Sequence, residues 1–249
     1  MSFAIESVPP IDASPSETPV LRNGQRADGR QNSELRPTYL KKGVVNRASG
    51  SAYLETDETK VICSVYGPRD VGKHDDFLKG KVSCYFKFLP FSTIQRQASI
   101  YRTRQERELG CLMEKTLESA ICLEKFPRAE IDVYVNIIQD GGNAFSAAMT
   151  CASTALADAG IEMYDLVPSC SVACKSSNML LDPTPQELSA PSSDGSLVLS
   201  LLPGSNEVAS LFSEGRVDSG TLIKALRESV DGCVRMHAVM RQALTETEK

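Results

Sequence analysis

The 249-residue chain has no tryptophan, only two histidines and few aromatic residues of any kind. It also has no surplus of positive charge, since 27 lysines and arginines face 32 acids for a formal net charge of −5. These deficits argue against a free-standing chain that grips nucleic acid tightly, because such binding draws on cationic surface and stacking platforms. A local basic stripe within an acidic average is still compatible with RNA contact. No apolar run approaches the length that spans a bilayer, so no membrane partner is predicted. Met1 to Val20 is polar and proline-rich, with neither a basic start nor an apolar stretch. No secretory leader is therefore predicted, and the expected compartment is cytosol or nucleus. The shortage of histidine bears on the eight cysteines as well. His74 and His237 stand apart from the one close cysteine pair, Cys170 and Cys174, so no metal site and no cofactor are predicted. Cys63, Cys84, Cys111, Cys122, Cys151 and Cys233 lie in apolar, periodic contexts and are expected to be buried free thiols acting as small hydrophobes.

What is present suffices for one large domain or two small ones, with ample core. Residues 1–25, with Pro9, Pro10, Pro15 and Pro19 among serines and acids, are expected to form a flexible tail, and residues 26–249 the folded domain. Gly43 to Tyr66 reads as consecutive strands, with Ala52–Glu55 and Lys60–Tyr66 flanking the polar turn Thr56–Glu58, and with Tyr66-Gly-Pro68 closing the hairpin. Arg69 to Asp76 reads as a polar loop. Lys81 to Leu89 alternates as a strand. Leu109, Leu112, Met113, Thr116, Leu117, Ala120 and Ile121 make one apolar helical face, with Phe126-Pro127 as its stop. Further on, Leu166–Ala173, Met179–Leu181, Leu197–Leu202 and Glu207–Leu211 read as strands, Pro183–Ser193 as a loop, and Val217–Leu244 as a helix. Sheet followed by helix, twice, predicts an α+β fold with helices packed on mixed β-sheets.

The stretch around which the rest is organised is Gln139-Asp-Gly-Gly-Asn-Ala-Phe-Ser146. Before it, Ile131, Val133, Val135 and Ile137 alternate with Asp132, Tyr134 and Asn136 as in a half-buried strand. After it, Ala147, Ala148, Cys151, Ala152, Ala155, Leu156 and Ala159 define a helix of small residues that packs close to its neighbours, ended by Gly160. Two glycines at a strand-to-helix junction permit a tight turn. They also leave the first helical amides bare, an arrangement that favours anions but is more often only a turn.

Four blocks, in order and at matching spacing, carry a family resemblance: Arg26-Ala-Asp-Gly-Arg30 with Glu34-Leu-Arg-Pro37; Ala48-Ser-Gly-Ser51 followed by Thr59 to Arg69; Glu106-Arg-Glu108; and Asp140-Gly-Gly142. On these the chain resembles the RNase PH family, phosphate-dependent enzymes that shorten RNA from its 3′ end. Met163-Tyr-Asp-Leu-Val167 and Leu180-Leu-Asp-Pro-Thr184 narrow the resemblance to the members that build the eukaryotic RNA exosome ring. The implied fold is the RNase PH-like fold, of the ribosomal protein S5 domain 2-like type. In active members the glycine pair is followed by a hydroxyl residue and an arginine that hold the attacking phosphate; here those positions read Asn143 and Ala144. Active members also carry an aspartate at the start of a later strand. Registering that strand on Leu199, Leu202 and Pro203 puts Ser196 there, two residues past Asp194.

Phosphorolysis depends on placing and neutralising a phosphate dianion, so losing the arginine removes both contributions. The resemblance therefore implies a non-catalytic ring subunit that lines an RNA channel and docks cap proteins. Its implied partners are other RNase PH-like ring subunits, cap subunits with S1 or KH modules, single-stranded RNA and an associated hydrolytic exoribonuclease. The implied location is nucleus, including nucleolus, and cytoplasm. The alternative is an active phosphate-dependent 3′-to-5′ exoribonuclease that uses Asp194 and holds phosphate with Arg102 or Arg104. Candidate RNA contacts are Arg69, matching a pore-facing arginine of active relatives, Lys73 in the same loop, and the basic run Arg96, Arg102, Arg104 and Arg107 with Tyr101 among them. The bland reading of that run, structural ion pairs and contacts to neighbouring subunits, is equally open from the residues alone.

Overall fold

The computed structural model describes residues 21–22, 25–26, 28–70, 79–93, 96, 101–175, 178–189 and 194–246. The expected tail lies outside this set except for Leu21, Arg22 and Gln25. Those residues and Arg26 form two two-residue strands, β1 (Leu21–Arg22) and β2 (Gln25–Arg26).

A five-stranded sheet is built from β3 (Thr38–Lys42), β4 (Gly50–Thr56), β5 (Thr59–Asp70), β6 (Lys81–Phe88) and β7 (Ala129–Gln139), in the order β3-β4-β5-β7-β6. Its pairs are antiparallel apart from β6 with β7. Val61, Cys63, Val65, Ile131, Val133, Val135 and Ile137 are all buried on the inner face, as alternation predicts. Strand β5 continues through a cis Gly67–Pro68 bond and a register shift to Asp70, so the expected stop at Tyr66 is corrected: Arg69 and Asp70 pair with Glu130 and Ala129 rather than opening a loop.

A second, antiparallel sheet has the order β11-β10-β8-β9, with β8 (Ser169–Lys175), β9 (Asn178–Leu181), β10 (Gly195–Leu202) and β11 (Glu207–Gly215). Between the sheets lies helix α2 (Ala144–Asp158), packed on β4 and β5 on one side and on β8 and β10 on the other. It is buried at every position from Ala144 to Leu156. Burial on all sides explains why it is made of alanine, serine, threonine and cysteine, since small side chains let two sheets approach one helix. Its hydroxyls also satisfy the incoming backbone. Val167 N–H donates to Ser153 Oγ at 2.8 Å and Ser169 N–H to Thr150 Oγ1 at 3.2 Å. The approach is close enough that a Cβ on Gly50 would sit 2.3 Å from the Ala159 amide nitrogen, which accounts for the glycine of Ala48-Ser-Gly-Ser51. Gly160, at φ +70°, ends α2 as expected. Helix α4 (Ser219–Thr245) covers the far side of the second sheet, where Ala225 and Cys233 meet Cys170, Val172, Leu197 and Leu199.

Helix α1 (Arg104–Ala120) starts five residues before Leu109, the first residue of the expected apolar face, and stops six short of the expected phenylalanine. Thr103 caps it, its hydroxyl accepting from Glu106 N–H while the Glu106 carboxylate accepts from Thr103 N–H at 2.6 Å. Tertiary pairing ends it. Ile121 turns extended to bridge Met163, and Cys122 N–H donates to the Glu162 carbonyl at 3.0 Å. The buried Glu106 carboxylate also accepts from Phe88 N–H at 2.8 Å, so α1 seals the outer edge of β6. The expected loop Pro183–Ser193 contains a further short helix, α3 (Pro185–Leu188), opened by a Thr184–Glu187 capping box. Two of the cysteines expected to be buried are not: Cys111 is exposed on the outer face of α1, and Cys122 is half-buried.

Burial pushes the Cys151 and Cys233 thiols up to about 12, and raises those of Cys63 and Cys170 well beyond the ordinary range for Cys. Iodoacetamide under native conditions should therefore modify Cys111 first, and reach Cys63, Cys151, Cys170 and Cys233 only in denaturant, which peptide mass mapping checks. Glu106→Ala removes the cap and the edge contact together. It should lower stability by about 2–3 kcal/mol in urea titration.

Candidate functional site

The junction between β7 and α2 is held from several directions. Asn143 occupies the cap position of α2 without bonding the helix amides. Its side chain instead accepts from Thr59 Oγ1 at 2.6 Å and donates to Asp182 Oδ1 at 2.6 Å. Asp182, at the end of β9, receives a two-pronged contact from Arg36, with Nε to Oδ2 at 2.8 Å and Nη2 to Oδ1 at 2.6 Å. Arg36 N–H donates to the same carboxylate at 3.1 Å, and Arg36 Nη1 reaches the Gly141 carbonyl at 2.9 Å. Burial pulls the Arg36 guanidinium down, but the hydrogen bonds and charge of Asp182 outweigh it and raise it above its ordinary value. A second buried pair lies alongside: Arg26 grips Glu187 through Nε at 2.8 Å and Nη2 at 2.6 Å, and donates to the Leu181 and Asp182 carbonyls.

These contacts lay the turn from Asp182 to Pro185 directly on the glycine pair. A Cβ on Gly142 would lie 2.7 Å from Pro185 N and 2.8 Å from the Pro183 carbonyl oxygen, and one on Gly141 would lie 2.5 Å from Thr59 Oγ1. Both glycines are thus required by packing. The helix start is also supplied with negative charge from within, because Gly142 N–H donates to Asp140 Oδ1 at 2.9 Å and the Asp182 carboxylate sits one side chain away. Beside it, a cavity of about 10 Å³ is lined by Asn143, Ser146, Thr150, Ser171 and Asp182 among others. That is room for about one water, well short of a phosphate.

Ala144 is buried at the first position of α2. Ser196 lies in β10 opposite Ala173, on the same side as Val198, whose partner Ser171 lines the small cavity. The register of β10 is pinned at Asp194, which donates its N–H to the Cys174 carbonyl and accepts from Arg216 N–H. Asp194 therefore stays one two-residue step, about 7 Å, from the Ser196 position.

Of the candidate RNA contacts, Lys73 lies outside the described residues. Arg69, in β5, has an exposed guanidinium paired with the buried Asp132 carboxylate. Arg104 pairs with Glu108 one helical turn on, at 2.7 Å, and both are exposed. Arg102 stacks on Tyr85, its Cζ 4.3 Å from the ring centroid. Arg96 and Arg107 are exposed. Among the described residues, no hydrogen bond or ion pair joins Arg69, Arg96, Arg102, Arg104 or Arg107 to the glycine-pair junction. Four residues that organise that junction, Arg26, Arg36, Asp182 and Glu187, were not singled out by sequence reasoning as site residues. The Thr-x-x-Glu signature at 184–187 was a readable signal for one of them.

The model of the 3′ exoribonuclease family, domain 1, matches residues 34–162. This chain belongs to the RNase PH family. Among its relatives, exosome complex component MTR3 of Mus musculus is 37% identical over 98% of this chain and 93% of the relative. The Homo sapiens protein of that name is 34% identical over 96% and 93%. The exosome complex component Rrp41 of Pyrobaculum aerophilum is 36% identical over 91% and 92%. Among solved structures, rice Rrp46 superposes with a TM-score of 0.78 at 22% identity, covering 88% of this chain and all of that one. A chain of the Archaeoglobus fulgidus exosome with RNA bound to the active site gives 0.76 at 19% identity, over 87% and 92%. This RNase PH-family chain has the fold its sequence pattern implied, two sheets with helices packed between and outside them.

Asp182→Ala strands the Arg36 guanidinium in a buried position. It should cost about 3–5 kcal/mol in urea unfolding. Glu108→Ala, which removes an exposed pair, should cost under about 0.5 kcal/mol by the same measurement.

Proposed function

We propose that this chain is a non-catalytic subunit of an RNA exosome ring, acting as scaffold and channel wall for 3′-to-5′ processing and degradation of RNA carried out elsewhere in the assembly. The observation that carries the reading is the pair Asn143–Ala144 in the place of the family's phosphate-holding hydroxyl and arginine, with Asn143 committed to Thr59 and Asp182. Without a cation at 144, a phosphate at the helix start lacks the charge that would neutralise and aim it. Ser196 in place of the strand aspartate removes the group that would serve the leaving oxygen. The names of the full-length relatives, exosome components in mouse and human, support the same assembly.

In this reading the partners are other RNase PH-family ring subunits, cap subunits with S1 or KH modules, single-stranded RNA and a hydrolytic exoribonuclease, in nucleus and cytoplasm. Arg69, Lys73, Arg96, Arg102, Arg104 and Arg107 supply the contacts to RNA or to neighbouring subunits. A ring also explains how an acidic chain takes part in RNA handling: the assembled channel, rather than the isolated surface, provides the charge.

The purified chain, given phosphate and a 3′-tailed RNA, should release nucleoside diphosphates no faster than a no-protein control. Asn143→Ser with Ala144→Arg should leave that result unchanged, since position 144 is buried and Ser196 remains. Native mass spectrometry of the chain taken from its own cells should find it in a complex with other RNase PH-family subunits. Robust phosphorolysis, or a lone homohexamer, overturns the proposal.

A further inference from the structure

Five of the chain's seven tyrosines lie on one surface. The strand registers put Tyr39, Tyr53, Tyr66, Tyr85 and Tyr134 on the outer face of the five-stranded sheet, opposite the face that packs on α2. Three of them form a continuous ladder. Tyr85 and Tyr134 are cross-strand partners with centroids 4.6 Å apart and planes 9° from parallel, and Tyr66 meets Tyr134 edge-on at 5.7 Å and 79°. Arg102, immediately before the cap of α1, closes the ladder over Tyr85.

The Tyr85 ring is already engaged by Tyr134 and Arg102, so it is not a free platform for a base. What it leaves open is the rim of the guanidinium. A guanidinium carries its five N–H donors at its rim, and a cation–π contact made through the central carbon leaves them available. Among the described residues no carboxylate or carbonyl accepts from Arg102. That sets it apart from Arg26, Arg30, Arg36, Arg69 and Arg104, each paired with an acid. Among the described residues, neither Arg96 nor Arg107 lies over an aromatic ring. Arg102 is thus the member of the basic run whose position is fixed while its donors are uncommitted, the state in which a bidentate contact loses least conformational entropy on binding.

We infer that Tyr85, Tyr134 and Tyr66 are positioning residues that hold Arg102 as a preorganised phosphate contact for single-stranded RNA on the open face of the five-stranded sheet. The inference rests on the proposal that the chain lines an RNA path. It assigns to the ladder a task that burial alone does not require, since Tyr134 is 36% exposed and its neighbours are half-buried.

The test uses the assembled ring containing the full chain, with its integrity followed by native mass spectrometry and its affinity for an unstructured single-stranded RNA measured across salt concentrations. Arg102→Gln should weaken binding and reduce the salt slope by about 0.7, the value for one single-strand phosphate contact. Tyr85→Leu should weaken binding by about two- to fivefold with Arg102 unchanged, and Tyr85→Phe, which keeps the ring face, should restore it. Tyr85→Leu added to Arg102→Gln should do almost nothing more, because the tyrosine acts through the arginine. If an intact ring binds RNA with the same affinity and slope after Arg102→Gln, or if Tyr85→Phe fails as Tyr85→Leu does, the inference is wrong while the channel reading stands. If Arg102→Gln dissolves the ring instead, Arg102 faces a neighbouring subunit and the inference is also wrong. A wild-type ring that binds no RNA defeats the channel reading itself.

Discussion

The contact between Arg36 and Asp182 joins four parts of the chain that are far apart in sequence. It ties the irregular segment before β3 to the end of β9, reaches the Gly141 carbonyl, and through Asn143 touches the start of α2 and Thr59 at the head of β5. A buried ion pair is weak evidence for stability, because desolvating both charges costs roughly what their attraction returns. Its value is geometric. Each of the carboxylate's two oxygens has an assigned donor, and only one placement of the turn from Asp182 to Pro185 satisfies them all.

That placement determines what the strand-to-helix junction can do. The same glycines that would let an incoming phosphate approach the backbone here let another turn of the same chain approach it. Asp140 and Asp182 bring to the helix start the negative charge that its dipole favours. The junction's preference for negative charge is thus met by carboxylates of its own chain. The all-buried helix behind it holds both sheets in position whether or not chemistry takes place at its end.

The fold was readable where alternation was clean. Ile131 to Ile137 announced β7, Ala147 to Ala159 announced α2, and the Gly160 stop followed from its preference for positive φ. What could not be read was decided by partners distant in sequence. Helix α1 ends early because Ile121 and Cys122 pair with residues near Met163, and β5 outruns its proline because Glu130 and Ala129 are there to meet it. Cys111 has apolar neighbours in sequence but lies off the stripe of Leu109, Leu112, Met113, Thr116 and Leu117, and it faces away from the core. At the junction, Asn143 and Ala144 could be read from the sequence as departures from the residues that the family resemblance implies there. The ion pairs that fill the space could not, since Arg36 and Asp182 lie 146 residues apart and neither spacing nor composition joins them. The tyrosine ladder escaped for the same reason: Tyr66, Tyr85 and Tyr134 become neighbours only once β5, β6 and β7 are in register.

The sheet edges are treated unequally. Helix α1 seals β6, and the Asn32 carbonyl accepts from Leu181 N–H in β9. Among the described residues strand β11 pairs with β10 alone, and Val208, Leu211 and Phe212 on it are exposed. A molecule with such a strip carries a concentration-dependent hazard, since any stray extended segment can add itself there and recruit others in turn. The hazard rises with concentration and is confined to one edge, because β6 and β9 are already engaged by segments of their own chain.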